Sequence, residues 1–273
     1  MKPILILYHK NCPDGFGAAW AAWKKFGDKA EYLAIEHSAQ APNNLKDRKE
    51  IYMVDFCYNK PVMEELLKIN RNITVIDHHI SAKDTVKLAK NYFYALNHSG
   101  SVLSWIYFHK KPIPRILKHI EDIDLWKFKL PFTREIAAAL ELEGFNFKKW
   151  NKIASYLEDS KKRKKYIENG KVLMGYRNKL IERIVNGAEK VNFEKQKAYV
   201  ANSPVLISEI GNSIVRNKKT IGIIWFRKSG KIIISLRSDG KTDVSKIAVK
   251  YGGGGHKAAS GFAWDIKKPF PWK

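Results

Sequence analysis

The sequence predicts an α/β protein in which a parallel-sheet domain is joined by a helical connector to a smaller α/β domain. Three observations carry this reading. Short, continuous apolar runs alternate with segments of helical periodicity through the first half of the chain, the pattern of a doubly wound parallel sheet. From Phe132 to about Gly187 the periodicity is helical. From about Val191 short strand-like runs and a tight turn take over. The first domain with its connector is therefore expected over residues 1–187 and the second over 191–273.

Taken in order, strands are expected at 3–8, 31–36, 50–55 and 73–77, because brief apolar runs suit strands buried on both faces. Helices are expected near 17–26, 61–69, 99–109 and 114–122. Pro61 fits a first helical turn, where its missing N–H is no loss. Ser99 offers an N-cap oxygen, although the N–H groups opening the helix at His98-Ser99-Gly100-Ser101 would also suit a phosphate. Gly144 and Gly170 interrupt the helical stretch that follows. In the second domain 199–201, 221–227 and 231–236 read as strands, with Ser229-Gly230 as a hairpin turn. Val244 to Tyr251 reads as a helix ending at the glycines.

Several apolar runs end at potential metal ligands. Ile73-Thr74-Val75-Ile76 leads into Asp77-His78-His79, Ile4 to Tyr8 into His9 with Asp14 just beyond, and Ile51 to Val54 into Asp55. Ile116 to Ile120 leads into Glu121, Asp122 and Asp124 at helical spacing. Any one of these acids is explained by a turn or a helix cap. Together they would converge in the crevice outside the carboxyl ends of a parallel sheet, and mixed carboxylate and imidazole ligands suit a divalent cation. Glu36-His37, at another strand end, is placed to line the same crevice.

Further along, Gly252-Gly253-Gly254-Gly255 precedes His256 and Lys257. Backbone N–H groups without Cβ atoms can approach an anion closely; the other reading is a helix-ending loop. Arg237, at a strand end, offers a two-pronged donor to phosphate or a surface salt bridge. Trp126, Phe128 and Trp264 are candidates for base stacking, with burial in a core the ordinary fate of such rings.

Composition bounds the partners. With 273 residues, 45% of them hydrophobic, the chain suits two cored domains. The net charge of +23 attracts polyanions, but Lys outnumbers Arg four to one and the basic residues are dispersed. The densest block, Lys161-Lys162-Arg163-Lys164-Lys165, reads as a solvated helix face. Two cysteines, Cys12 and Cys57, form no disulfide framework, which fits a reducing cytoplasm. The apolar start at Ile4 to Leu7 is too short for a signal peptide or a membrane span.

These motifs resemble the DHH phosphoesterase superfamily, whose members include RecJ exonucleases, nanoRNases, cyclic-dinucleotide phosphodiesterases and family II pyrophosphatases. Asp77-His78-His79 matches the triplet that names the group. His9 to Gly17, Val54-Asp55 and Ile120 to Asp124 resemble its other motifs. Ser235 to Ser238 and Gly252 to Gly261 resemble the GGGH signature of the DHHA1 domain, which is absent from family II pyrophosphatases. One departure stands out: the family's first motif carries two aspartates, whereas this chain has Asp14 alone, and Asn11 or Cys12 covers the position of the other.

The resemblance implies roles. His9, Asp14, Asp55, His78 and Asp122 would be metal ligands, with Asp124 a rival to Asp122 and Asp55 bridging two cations. His79 would contact the phosphoryl group, and Asp77 would orient His78 or support the site from behind. Arg237, Gly253, Gly254, Gly255 and His256 would grip the substrate. The cofactor would be Mn²⁺, in a pair, with Mg²⁺ or Co²⁺ as substitutes. The expected activity is hydrolysis of phosphate esters of small nucleotides or short oligonucleotides by metal-activated water, by a cytoplasmic protein with no membrane partner and compatible with a homodimer. A polyphosphate or pyrophosphate hydrolase and a catalytically silent nucleic-acid-binding protein are the competing readings.

Overall fold

The structure, a computed structural model, describes residues 2–36 and 39–273. Its residues fall into two compact units, Met1–Leu173 and Met174–Lys273. The division lies inside one long helix, whereas sequence punctuation places the break at Gly187.

The first unit is built on β1 (Ile4–His9), α1 (Pro13–Phe26), β2 (Ala30–Ile35), β3 (Glu50–Val54), α2 (Lys60–Ile69), β4 (Ile73–Asp77) and β5 (Asn91–Tyr94). These are followed by α3 (Gly100–Phe108), α4 (Arg115–Asp124), α5 (Thr133–Glu141), α6 (Phe147–Glu158) and α7 (Ser160–Asn186). Five parallel strands form a sheet in the order β2-β1-β3-β4-β5. Because strand side chains alternate between faces, the apolar runs fill two cores. Ile6, Val54 and Ile76 pack with Ala18, Ala22, Leu103 and Phe108 of α1 and α3. Leu5, Leu7, Met53 and Val75 pack with Met63 and Leu66 of α2 on the opposite face.

The helical stretch breaks at Gly144, which has φ +63°, but not at Gly170. That glycine lies within α7, where a Cβ would run into the backbone carbonyl of Glu135. Lys161, Lys162, Lys164 and Lys165 are exposed on α7, the solvated face expected of them.

The second unit continues with β6 (Glu189–Phe193), β7 (Gln196–Asn202), α8 (Ile207–Lys218), β8 (Ile221–Lys228), β9 (Lys231–Arg237), α9 (Val244–Lys250), β10 (Gly254–His256) and β11 (Ala259–Asp265). Its six-stranded sheet has the order β10-β11-β9-β8-β7-β6. Ser229 and Gly230 join β8 to β9 with φ of +49° and +74°, the paired left-handed residues that match the twist of a hairpin.

Candidate metal centre

The strand order reverses direction at β1, which has β2 on one side and β3 on the other. Such a switch point opens a crevice at the carboxyl ends of the strands. His9 ends β1, Asp55 follows β3, and His78 follows β4. Asp14 joins them from the first turn of α1, and Asp124 from the last turn of α4.

His78 Nε2 lies 3.3 Å from Asp55 Oδ1, 3.5 Å from Asp124 Oδ2 and 3.7 Å from Asp14 Oδ2. His9 Nδ1 is 3.5 Å from Asp55 Oδ2. Three groups of donor atoms have spacings suited to a cation: His9 with Cys12 and Asp55, Asp55 with His78 and His79, and Asp14 with His78 and Asp124. Asp55 belongs to two of them. Among the described residues, both Asp55 oxygens and His78 Nε2 are buried and accept or donate no hydrogen bond. Buried polar atoms are ordinarily paired, so this donor set fits a divalent cation held by oxygen and imidazole.

The backbone is shaped around this cluster. Asp55 itself adopts φ +61°, an uncommon conformation that Asp tolerates better than most residues. Gly100 faces it closely, and a Cβ there would come within 2.6 Å of Asp55 Cβ and run into its carboxylate. The same approach lets Gly100 N and Ser101 N donate to the two Asp14 oxygens at 2.6 and 3.1 Å. Ser99 accepts from Val102 N as an N-cap. The opening N–H groups of α3 therefore hold a carboxylate of the protein, and the phosphate site expected at His98 to Ser101 is occupied by Asp14.

Asp77 is fully buried. Its Oδ1 accepts from His78 N at 2.7 Å and His79 N at 3.2 Å, and lies 2.8 Å from His79 Nδ1. It therefore orients the His79 ring and fixes the backbone of His78. The Asp77 hydrogen bond outweighs burial and raises the His79 pKa. Burial lowers that of His78. Asp55 is held well above the ordinary carboxylate range by burial and then by the charge of Asp14, and Asp124 is pushed up to about 7 by the same two causes in the same order.

One expected ligand lies elsewhere. Asp122 does not reach the cluster. Its carboxylate accepts from Lys129 N, Leu130 N and Thr133 Oγ1 at 2.8, 3.1 and 2.7 Å, pinning the loop after α4. Burial raises its pKa, but those bonds outweigh it and leave the group below its ordinary value. Its rival Asp124 instead has Oδ2 3.5 Å from His78 Nε2, since residues two apart on a helix point in different directions. At the first motif, where Asn11 and Cys12 are both open, the Cys12 sulfur lies within 4.8 Å of donor atoms of His9 and Asp55. Asn11 is exposed, with φ +56°.

Of the other candidates, Glu36 pairs with Lys10 at 2.9 Å, and His37 lies outside the described residues. Trp126 is 74% exposed, two residues beyond Asp124, and Phe128 stacks edge-on against it. Trp264 packs against the core of the second unit.

In the second unit Arg237 pairs with Ala259, and Ala259 with His256, so Arg237 and His256 share one row across three strands. Arg237 also donates to Ser208 Oγ at 2.9 Å. The glycine run is only partly available to an anion: Gly252 N and Gly253 N bond to Val249 O and Ala248 O and close α9. Gly254 and Gly255 pair with Gly261 and Ser260 in β11.

Comparison with known proteins agrees with this architecture. The DHHA1 domain family matches residues 202–267. The uncharacterized protein R106 of Acanthamoeba polyphaga mimivirus is 31% identical over 98% of this chain and 69% of its own length. Three solved structures share the fold. An exopolyphosphatase-related protein from Bacteroides fragilis has a TM-score of 0.54 at 14% identity, covering 98% of this chain and 87% of that one. The pGpG-specific phosphodiesterase PggH from Vibrio cholerae has a TM-score of 0.52 at 16% identity, covering 97% and 94%. RecJ from Thermus thermophilus, in complex with Mn²⁺, has a TM-score of 0.52 at 15% identity, covering 97% and 50%. With Asp77-His78-His79 at a strand end of a parallel sheet and a DHHA1 domain after it, the chain belongs to the DHH/DHHA1 superfamily.

Proposed function

We propose that the protein is a metal-dependent phosphoesterase that hydrolyses phosphate esters of small nucleotides or short oligonucleotides, with Mn²⁺ as its cation. The observation that carries this reading is the set of buried, unsatisfied donor atoms on Asp55 and His78 at the switch point of the sheet. His9, Asp14, Asp55, His78 and Asp124 would hold the cation or cations, with Asp55 shared. Bound there, divalent cations would make water a nucleophile near neutral pH and offset charge on the phosphoryl oxygens.

The surrounding side chains divide the remaining work. His79, held through Nδ1 by Asp77, presents its Nε2 end to a phosphoryl group, and its raised pKa favours the cationic form. The exposed face of Trp126 offers a stacking surface for a base. No Ser or Cys nucleophile is required. In the second unit, Arg237 and His256 would bind a phosphate or a base from their shared row. No helix among the described residues is long and apolar enough to cross a membrane.

The dispersed charge favours a short substrate, because long duplex needs an extended basic track. Rates against a length series of labelled oligonucleotides, with polyphosphate in parallel and Mn²⁺ supplied after chelation, test the reading. Fragments of about two to five residues should react fastest. A rate that climbs with length, a preference for polyphosphate, or full activity in excess chelator would overturn it.

A further inference from the structure

Cys12 has no role among the ligands named in the proposed function. It is the residue before α1, in extended conformation, and Pro13 fixes the first helical turn behind it. Asn11, with φ +56°, turns the chain sharply between β1 and Cys12. The consequence is that the Cys12 sulfur, a nitrogen of His9 and an oxygen of Asp55 all lie within 4.8 Å of one another. The Asp55 side chain is 1% exposed, and both its oxygens lack hydrogen-bond partners among the described residues. The sulfur therefore belongs to a donor set that already contains an unsatisfied buried carboxylate.

We propose that Cys12 is a thiolate ligand of the cation held by His9 and Asp55, which makes this half of the centre a nitrogen, oxygen and sulfur site selective for Zn²⁺ or Co²⁺ over Mn²⁺. The inference rests on the reading of this cluster as a metal centre and changes the kind of metal one half prefers. Its chemical basis is ligand softness. Thiolates select softer cations, whereas carboxylates and water suit Mn²⁺ and Mg²⁺. The other half, with Asp14, His78 and Asp124, contains no sulfur and keeps the harder preference. On binding, the S–H bond gives way to a metal–sulfur bond and the proton passes to solvent. Once its proton is lost to the cation, the thiolate would bring the negative charge that a carboxylate would bring, which an Asn amide would not.

Cys57 provides an internal control. It is a second free cysteine, half-buried, and packs against the core beside α2; it is in none of the donor groups among the described residues.

The test is a Co²⁺ titration of the full-length, chelator-stripped protein, read by absorption. A cobalt–thiolate bond gives a near-ultraviolet charge-transfer band, while cobalt bound by oxygen and nitrogen gives only weak visible bands. The near-ultraviolet band should appear in the wild type and in Cys57→Ser, and vanish in Cys12→Ser and Cys12→Asp. Zn²⁺ and Mn²⁺ competition should show the Zn²⁺ preference falling by about tenfold or more in Cys12→Asp. Because Cys12→Asp supplies a carboxylate in place of the thiolate, it should still bind Co²⁺, so loss of the band there reports the ligand rather than the fold. Bound cobalt without the band in wild type, or a band that survives Cys12→Ser, would overturn the assignment while leaving the metal centre standing. If neither the wild type nor any variant takes up Co²⁺ or Mn²⁺, the metal reading itself is overturned.

Discussion

Replacing Asp55 by Asn should stabilise the metal-free protein and abolish its response to metal. Asn keeps the shape of the side chain and tolerates the left-handed backbone found there, φ +61°. What changes is the charge. In the wild type both carboxylate oxygens are buried without a hydrogen-bond donor, a deficit of about 1–3 kcal/mol. Removing that charge should raise the melting temperature by roughly 2–4 °C per kcal/mol for a unit of this size. With cation at about a hundred times its Kd, the wild type should gain about 2.7 kcal/mol, and Asp55→Asn should gain almost none. The order of stability therefore reverses when metal is added. The pH dependence has a definite sign. Because the folded-state pKa of Asp55 is raised, its stabilising contribution is complete in acid, below the unfolded value. It is lost as pH rises through the folded value. Asp124, pushed up to about 7, loses its contribution in the same direction as pH approaches neutrality. The advantage of the variant in chelator should thus be small near pH 4, a rough value set by ordinary carboxylates, and larger at neutral pH. Thermal unfolding with chelator or with Mn²⁺, across a pH series, measures each part. An Asn variant less stable than wild type in chelator at neutral pH, or one retaining the full Mn²⁺ response, would refute the reasoning.

Two further substitutions separate structure from site. Asp122→Asn should lower the melting temperature, because a neutral amide weakens the bonds from Thr133, Lys129 N and Leu130 N, at about 1–3 kcal/mol, whereas Asp124→Asn should leave stability near wild type and weaken metal binding; calorimetry showing the reverse would return the ligand role to Asp122. Trp126→Ala should reduce kcat/KM on short oligonucleotides by the equivalent of about 1–3 kcal/mol and leave Mn²⁺ affinity unchanged, since an indole N–H is no cation ligand; equal kinetics on an oligonucleotide substrate would remove it from the substrate surface.

The parts of the fold that were legible in the sequence are those where burial is two-sided. The runs at Ile4, Ile51 and Ile73 become central strands because both faces of a parallel strand are covered. β5, Asn91–Tyr94, lies at the sheet edge and shows partly or fully exposed residues, so it lacks such a run. α8 is hidden for a different reason. Its N-cap, Leu206, is left-handed and makes no side-chain cap, and its apolar positions are separated by Ser, Glu, Gly and Asn. By sequence the glycine run suits a loop or an anion cradle. It divides instead between closing α9 and forming β10, because pairing partners distant in sequence decide its conformation. Spacing alone does not rank Cys12 against Asn11; the structure adds that the Cys12 sulfur lies within 4.8 Å of donor atoms of His9 and Asp55.

The acids around the site show why a sequence can locate such a centre and still misassign its members. Asp14, Asp77 and Asp122 are all buried, and all belong to the recurring pattern of an apolar run followed by an acid. Each, however, receives protein donors: Asp14 from the first amides of α3, Asp77 from His79 and two amides, and Asp122 from its own loop. Asp55 receives none among the described residues, and the pKa of Asp124 is raised where that of Asp122 is lowered. Asp14 still keeps Oδ2 3.7 Å from His78 Nε2 and its place among the donors, whereas Asp122 is taken up by its own loop; an unsatisfied carboxylate in low dielectric, such as Asp55, gains most from a cation. Motif position identifies which acids approach the crevice. Which of them still needs a positive charge is decided by hydrogen bonds contributed from α3, from the loop after α4 and from the end of β4. That difference, between Asp122 and Asp124 on a single helix, makes the two variants a direct test of the centre.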